Sequence, residues 1–216
     1  MAGLFPPWSD TALRVCLCLM AGGAVGALAF PMVYARTPEG QDRENPLVQP
    51  VAFDHRHHVQ DDGIDCRYCH TDVETAASAG MPATEVCMGC HAQIWERSPL
   101  LAPVRQSYFS GQPLRWNRVH DLPDFVYFDH SVHVRGGVGC VTCHGRVDRM
   151  AMVYQTAPLT MGWCLDCHRN PEGHRRPVDQ VTSMTWIGGG TPPPGIAHFH
   201  EGRGVDSLTT CTACHR

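Results

Sequence analysis

The chain has 216 residues and a mass of 23.8 kDa, with 17 basic and 21 acidic residues and a formal net charge of −4. This slightly acidic balance gives no basis for a nucleic-acid partner. All 17 basic residues are arginine, and the chain carries 12 cysteines and 14 histidines beside 21 glycines and 17 prolines. This composition excludes a large aliphatic core and indicates that a bound group fills part of the interior.

The first predicted element is an apolar run near the N-terminus. Residues 15–34 (VCLCLMAGGAVGALAFPMVY) contain no charged side chain. A helix of this length, rising about 1.5 Å per residue, crosses a bilayer core of about 30 Å. A cleavable signal peptide is the alternative, because Val33-Tyr34-Ala35 is similar to a small-residue cleavage site, but the run is longer than a usual signal-peptide apolar region. We therefore expect a retained transmembrane anchor.

Ten cysteines downstream of the anchor form five pairs, and every pair has the spacing C-x-x-C-H. Two thiols three residues apart on one turn can form thioethers with the two vinyl groups of a haem, and the histidine that follows can bind the iron. The sequence therefore predicts five c-type haems, at sites that we call motifs 1 to 5. The cysteine pairs are, in order, Cys66 and Cys69, Cys87 and Cys90, Cys140 and Cys143, Cys164 and Cys167, and Cys211 and Cys214. The predicted proximal iron ligands are His70, His91, His144, His168 and His215.

Two other kinds of site use paired cysteines. The 17 residues between Cys69 and Cys87, and the 20 between Cys143 and Cys164, both fit a zinc ribbon. A disulfide framework would suit an exported chain. Neither site requires a histidine directly after the second cysteine, whereas all five pairs have one. Covalent haem is therefore the favoured interpretation.

Covalent haem also fixes the expected topology and the domain organisation. Because thioethers to haem are formed outside the bacterial cytoplasm, we expect the haem-binding part on the periplasmic side of the inner membrane, behind a single membrane pass. Haem-facing loops and Pro/Gly turns predict a mostly irregular, small α fold with short helices at the motifs and little sheet. The predicted segments are a cytoplasmic N-terminus 1–14, an anchor 15–35, a two-haem unit 36–97, a connecting segment 98–127, and a three-haem unit 128–216 with a Pro/Gly-rich loop 177–195.

An internal repeat indicates the second, distal iron ligands. Residues 53–70 (FDHRHHVQDDGIDCRYCH) and 128–144 (FDHSVHVRGGVGCVTCH) both open F-D-H-x-x-H-V and both reach a haem motif. Imidazoles at i and i+3 share one face of a helical turn, so they serve two neighbouring haems more naturally than one. The predicted distal ligands are His55 and His58 for the first haem pair and His130 and His133 for the second. Phe53 and Phe128 are predicted to pack on the haem rings. His57, which replaces Val132 of the other repeat, is predicted to lie on the surface.

The fifth distal ligand is predicted to be His120, which lies in the compact aromatic segment WNRVHDLPDFVYFDH. Met161, His174, His198 and His200 remain alternatives for this position. Arginines cluster around the motifs, where they either bind haem propionates or form solvated surface charge. These arginines are Arg56, Arg67, Arg135, Arg146, Arg149, Arg169 and Arg175.

The pattern F-x-H-x-x-H followed by C-x-x-C-H resembles the cytochrome c3/c7 class of multihaem cytochromes. The segments WNRVHDLPDFVYFDHSVHV, CHGRVDRM and PLTMGWCLDCHRNPE are more specifically similar to the pentahaem cytochrome c subunit of bacterial alternative complex III. This likeness covers roughly residues 50–172. It implies a component of a membrane-bound, quinol-oxidising respiratory complex that replaces the cytochrome bc1 complex. The implied partners are an iron–sulfur subunit, polytopic quinol-binding subunits, a monohaem cytochrome and a periplasmic electron acceptor.

Three functions are compatible with five haems. We favour an electron-transfer subunit, with no catalytic residues of its own, that relays electrons from an iron–sulfur or quinol-oxidising partner to a periplasmic acceptor. The first alternative is a self-contained membrane quinol dehydrogenase similar to NapC/NrfH proteins. The second is a multihaem reductase, which requires an iron with an open position. The histidines of this chain suffice to saturate all five irons, which argues against the reductase.

Overall fold

The structure is a computed structural model that describes residues 5–186 and 208–215. It contains two compact units, residues 1–43 and residues 44–216. In the first unit, helix α1 spans Trp8–Tyr34, and none of its residues is buried. Its most apolar 18-residue window has a mean hydropathy of 2.0, so the helix is long and apolar enough to cross a membrane. An ion pair of 2.8 Å between Arg14 and Asp10 lies in its first turns.

The second unit consists of short helices joined by turns. A π-helix spans Arg56–Asp61, and the α-helices are α2 Cys66–Cys69, α3 Thr84–His91, α4 Ala102–Ser110, α5 His130–Arg135, α6 Cys140–His144, α7 Met161–Arg169 and α8 Cys211–Cys214. Single 3₁₀ turns span Pro99–Leu101, Val147–Arg149, Pro171–His174 and Val178–Gln180. Within the described residues the only strand-like pairing is an isolated bridge between Val138 and Arg175. The predicted mostly irregular, small α fold is therefore confirmed.

Polar residues begin several of these helices. Asp65 caps α2 by accepting a hydrogen bond from the backbone N–H of Arg67 at 2.9 Å. Asp129 caps α5 through Ser131 N–H at 2.8 Å. Such caps satisfy backbone donors that the first turn leaves unpaired. They let helices of only one or two turns form, which the motifs require.

Among the described residues, the apolar core of the second unit is small and divided. One cluster contains Val51, Met88 and Val104. The other contains Val73, Val134 and Val181, of which Val181 is fully buried. Clusters of three buried side chains are small for a unit of this size. This supports the expectation that bound groups supply much of the apolar interior.

Candidate haem-binding sites

Each cysteine pair lies on a short helix. Motifs 1, 3 and 5 lie on α2, α6 and α8, and motifs 2 and 4 lie within α3 and α7. Residues three apart on a helix share one face, so both thiols of a pair project together. All twelve cysteines are free thiols in the structure. The pairs are therefore arranged for two thioethers to one ligand.

The five cysteine pairs differ in their exposure, although the sequence prediction treats them alike. Cys90 of motif 2 and Cys211 of motif 5 are exposed, whereas the other eight motif cysteines are half-buried. The exposed thiols belong to the second cysteine of one pair and the first cysteine of the other. The C-x-x-C-H spacing could not predict this difference, because exposure depends on what packs around each helix. The haem edges held by Cys90 and Cys211 would therefore lie nearest the surface.

The motif histidines are oriented by backbone carbonyls. In four of the five, the Nδ1 atom lies within hydrogen-bond distance of a carbonyl oxygen, which fixes the proton on Nδ1. The lone pair of the neutral ring is then on Nε2, which is how metal-binding histidines are usually oriented. The accepting carbonyls are Gly80 for His70 at 2.9 Å, Ile94 for His91 at 3.0 Å, Leu208 for His168 at 2.8 Å, and Phe125 for His215 at 3.0 Å.

Three of the predicted distal histidines have the same orientation. The Nδ1 atom of His58 donates to Asp54 O at 2.9 Å, and that of His133 donates to Asp129 O at 2.7 Å, at the equivalent position of the other repeat. The Nδ1 atom of His130 donates to Ala77 O at 2.8 Å. Each of these rings therefore also keeps Nε2 available for a metal.

Three histidine pairs have the separation that a shared iron requires. Two imidazoles on opposite sides of one iron, with Fe–N bonds of about 2 Å, place their ring centroids about 6 Å apart. The corresponding observed distances are 6.1 Å for His58 and His91, 6.3 Å for His130 and His144, and 6.0 Å for His133 and His168. Motifs 2, 3 and 4 thus each have a histidine from the repeats at a distance that fits a bis-histidine haem.

His55, the remaining repeat histidine, lies near motif 1. Burial lowers the pKa of His55 to about 4, and the nearby rings of His70 and His58 contribute to the same effect. The ring is therefore neutral at neutral pH, as an iron ligand must be. Its Nδ1 atom is buried and has no hydrogen-bond partner among the described residues. The structure thus brings His55 close to the proximal histidine of motif 1.

His120 lies beside motif 3. Its ring centroid is 4.3 Å from that of His144, which is too close for one iron to lie between the two rings. Burial lowers the pKa of His144 to about 3, with His120 and His130 adding to the effect, and burial also lowers the pKa of His120. The Nε2 atom of His120 is buried and has no partner in the described part of the chain. This orphaned nitrogen has the properties of a ligand that lacks its metal.

The fifth distal position is less defined. The ring that stacks on His215 is Phe125, at 5.8 Å between centroids. Of the alternatives, His174 is exposed, and 63% of the Met161 surface is accessible. The other two alternatives, His198 and His200, lie outside the described residues.

The two phenylalanines of the repeats lie against imidazole rings. Phe53 stacks on His58 with centroids 4.4 Å apart, and Phe128 stacks on His133 at the same distance. Their predicted packing on haem rings stays a prediction. Because Phe and the second histidine of the repeat are five residues apart on a tight turn, the two rings meet directly. The stacking fixes the orientation of the imidazole.

His57, the predicted surface histidine, is about half exposed. Its Nδ1 atom lies 3.5 Å from a carboxylate oxygen of Asp61, and its ring stacks on Trp95 at 6.0 Å. Trp95 is itself 60% exposed. His57 therefore lies on the surface beside its neighbour His58.

Most of the arginines near the first three motifs are paired with carboxylates of the chain. Arg56 binds Asp54, Arg67 binds Asp65 and Glu74, and Arg146 binds Asp148. These guanidinium groups are thus already neutralised within the chain, rather than reserved for haem propionates.

Two buried arginines are only partly satisfied: Arg175 has an ion pair of 3.6 Å with Glu172 and donates to Gly136 O, and Arg176 donates to Ser183 O. Arg175 and Arg176 are 6% and 7% exposed, and Nη2 of the first and Nε of the second have no partner among the described residues. Arg176 lies beside Cys140 of motif 3. Gly137, with φ of +81°, permits this approach, because a Cβ there would collide with the backbone oxygen of Arg176. A haem propionate would satisfy such donors. Sequence reasoning missed Arg176, because nothing in RRPV distinguishes a buried arginine from an exposed one.

A zinc ribbon needs four clustered ligands. In residues 5–186 and 208–215 no group of three or more histidine, cysteine or acidic side chains is arranged to hold a metal ion. The orphaned histidine nitrogens, the histidine pairs about 6 Å apart and the unpaired buried guanidinium atoms instead fit haem. The residues present thus match the requirements of a bis-histidine c-type site.

Comparison with known proteins agrees with this arrangement. Residues 126–216 match the sequence profile of cytochrome c7 and related cytochrome c. The chain is also 36% identical, over 132 residues, to the menaquinone reductase multiheme cytochrome c subunit of Nitratidesulfovibrio vulgaris. That alignment covers 61% of this chain, which spans about three fifths (62%) of the length of this curated relative. Residues 126–216, which contain motifs 3 to 5, are therefore similar to a cytochrome c7-like domain.

Proposed function

We propose that this chain is the electron-transfer subunit of a membrane quinone-linked oxidoreductase and that it binds five c-type haems. The observation that carries the proposal is the set of three histidine pairs, each joining a motif histidine to a repeat histidine at 6.0 to 6.3 Å. Five C-x-x-C-H motifs supply the covalent attachment. The proposed distal ligands are His55, His58, His120, His130 and His133.

Haem bound in this way supplies a one-electron iron centre. The chain contributes its position and its environment. The cysteines fix each ring covalently, and the carbonyls that accept from Nδ1 fix the direction of each imidazole. Two histidines for each iron would leave no open position, which supports relay rather than substrate chemistry. The half-buried positions of the histidines limit the access of water to the ligand atoms.

The name of the relative, a menaquinone reductase subunit, supports a quinone-linked complex. From the resemblance to alternative complex III, we propose that the chain relays electrons from an iron–sulfur or quinol-oxidising partner to a periplasmic acceptor. The relative's name favours a second candidate, transfer in the opposite direction toward menaquinone. A self-contained quinol dehydrogenase is a third candidate, since α1 alone could anchor the chain.

We further propose that α1 is a single membrane pass with residues 1–14 in the cytoplasm and the haem-binding unit in the periplasm. We also propose a two-haem unit 36–97, a connecting segment 98–127 and a three-haem unit 128–216. The haem-binding unit must be exported, because haem is attached covalently outside the cytoplasm. A protease added to intact spheroplasts is expected to digest the haem-binding unit, whereas protection of that unit would contradict the topology.

Haem counting tests the cofactor assignment. We expect about five haems per chain from the pyridine haemochrome spectrum of the full-length protein. Cys66→Ala together with Cys69→Ala should remove one haem. The matched control is Cys16→Ala with Cys18→Ala, which makes the same change at two exposed cysteines of α1 and should keep all five. Equal counts in the two variants would contradict the assignment.

The role in a complex is tested by purification in mild detergent. Native membranes should yield the chain together with polytopic membrane subunits and an iron–sulfur subunit. Quinol oxidation and menaquinone reduction are then measured on the same preparation, and the faster reaction gives the direction. Reduction of the isolated chain by a menaquinol analogue, without any partner, would favour the self-contained dehydrogenase and contradict the relay subunit.

A further inference from the structure

The two repeats meet through motif 1 and motif 3. The side chains of Cys66 and Cys140, the first cysteines of these motifs, lie close enough to interact. These residues are 74 positions apart in the sequence and belong to different predicted haem units. Since each cysteine would carry one edge of a haem, the contact makes the edges held by α2 and α6 neighbours.

Residues Val181 and Thr182 join the beginnings of the two motif helices. The backbone N–H of Cys140 donates to Val181 O at 2.9 Å. The next residue, Thr182, donates from its hydroxyl to Asp65 Oδ2 at 2.9 Å. Asp65 is the residue that caps α2, directly before Cys66. Two consecutive residues therefore bind the first turn of α6 and the cap of α2.

Apolar packing also stabilises the junction between motifs 1 and 3. Val181 is fully buried and clusters with Val73, which follows motif 1, and with Val134 of α5 in the second repeat. The start of α5 also reaches back to the segment after motif 1, because His130 N–H donates to Ala77 O at 3.1 Å. The junction is thus tightly packed rather than a chance contact of two thiols.

The other cysteine neighbours define the remaining steps. Cys87 of motif 2 lies near Cys69 of motif 1. Cys143 of motif 3 has the same relation to Cys164 and Cys167 of motif 4. Motif 4 meets motif 5 through Cys164 and Cys214, and His168 of motif 4 donates to Leu208 O just before α8.

We propose that the haem-binding motifs form one line in the order 2, 1, 3, 4, 5, rather than in chain order, and that Thr182 is a positioning residue for the junction between motifs 1 and 3. Motifs 2 and 5 are then the two ends, where partners exchange electrons. The exposed motif cysteines, Cys90 and Cys211, belong to these two motifs. The inference rests on the proposed function, because it requires haem at each motif. It adds the order in which electrons pass between the motifs and the two motifs at which partners bind.

The order is tested with the haem-loaded full-length chain, after its haems are counted. Iron positions from anomalous diffraction or a cryo-EM map should give the iron bound by His70 two nearest neighbours, those bound by His91 and His144. An iron at His91 that lies closer to the iron at His144 than the iron at His70 does would overturn the order. A count below five would instead contradict the proposed function, and the neighbours of the remaining irons would still decide the order.

The role of Thr182 is tested by Thr182→Val, which keeps the shape and removes the hydroxyl. Reduction of one centre makes reduction of its neighbour harder by an amount that falls with their separation and with access of water. Loosening the junction should therefore narrow the spread of midpoint potentials in a spectroscopic redox titration, with five low-spin haems retained. Thr182→Ser should restore the wild-type curve.

Thr75→Val is the matched control. Thr75 is exposed and its hydroxyl donates within its own turn, to Asp72 O, so its titration curve should match that of the wild type. A wild-type curve for Thr182→Val, or an equal change in both variants, would overturn the positioning role. Loss of a haem in Thr182→Val would overturn it as well, because Thr182 would then act on attachment.

Discussion

The two repeats place the same side chains in the same geometry on different backbones. In the first repeat, residues Arg56–Asp61 form a π-helix, whereas in the second, His130–Arg135 form an α-helix. Yet Phe53 contacts His55 edge to face at 4.7 Å, and Phe128 contacts His130 in the same way at 4.8 Å. The arrangement is therefore set by the local Phe-Asp-His order and not by the type of helix.

The surroundings of the repeats differ more than the repeats themselves. His130 of the second repeat lies in a half-buried cluster with His120 and His144, and His55 of the first repeat lies at the edge of the same cluster. The first repeat borders an exposed surface that includes His57 and Trp95. The following substitutions test the repeats and their surroundings separately.

The largest effect is expected from the second histidine of each repeat. His58→Ala and His133→Ala should each convert one low-spin haem to high spin, because each removes the ring about 6 Å from a motif histidine. Equal effects would show that the repeats are equivalent. Electron paramagnetic resonance of the ferric protein measures the change. His57→Ala, at the neighbouring position, is the control and should leave every haem low spin. If His58→Ala and His133→Ala both keep every haem low spin, the ligand assignment is wrong.

His120 provides the next test, since it has no counterpart in the first repeat. His120→Ala should produce one high-spin haem, because its buried Nε2 atom has no other partner among the described residues. An unchanged low-spin spectrum would contradict its role as a ligand.

The motif that His120 serves can then be identified. The sequence prediction assigns it to motif 5, so the high-spin signal of His120→Ala should disappear when Cys211→Ala and Cys214→Ala remove that haem. A signal that persists would reassign His120 to motif 3, beside which its ring lies. His130 would then be available to a different motif.

A smaller effect is expected from the stacked phenylalanines. Phe53→Leu and Phe128→Leu should each lower the free energy of unfolding by about 1 kcal/mol, which is typical for loss of an aromatic pair. Thermal unfolding of the haem-loaded protein measures it. Phe5, which is 75% exposed, is the control, and Phe5→Leu should cost less than about 0.5 kcal/mol. A larger loss at Phe5 than at the two repeat positions would contradict the role of the stacking.

The short helices and the repeat geometry could be predicted from sequence because they depend on neighbours in the chain. C-x-x-C-H fits on one turn, and the i, i+3 histidines lie on one face wherever the turn forms. The π-helix could not be predicted, since its one-residue widening has no simple sequence signal.

Contacts between residues that are far apart in the sequence could not be predicted either. Thr182 binds Asp65 over 117 positions, and Arg176 lies against Gly137 and Gly139, where an added Cβ would collide with it. Nothing in the local pattern around either residue indicates such a partner. The exposure of Cys90 and the position of His120 could not be predicted for the same reason, because both depend on how distant segments pack around a motif.

The smallest effect concerns how each repeat holds its aspartate. Asp54 is bound by the half-exposed Arg56 with an Nη2–Oδ2 distance of 2.7 Å, whereas Asp129 accepts from the buried Ser131 hydroxyl at 2.7 Å. Salt screens an exposed ion pair but not a hydrogen bond from a neutral hydroxyl. The destabilisation by Arg56→Ala should therefore shrink as ionic strength rises, while that by Ser131→Ala stays constant. Thermal unfolding at low and high salt measures both. The same salt dependence in the two variants would mean that the aspartates are held in the same way, and the difference between the repeats would then lie only in their surroundings.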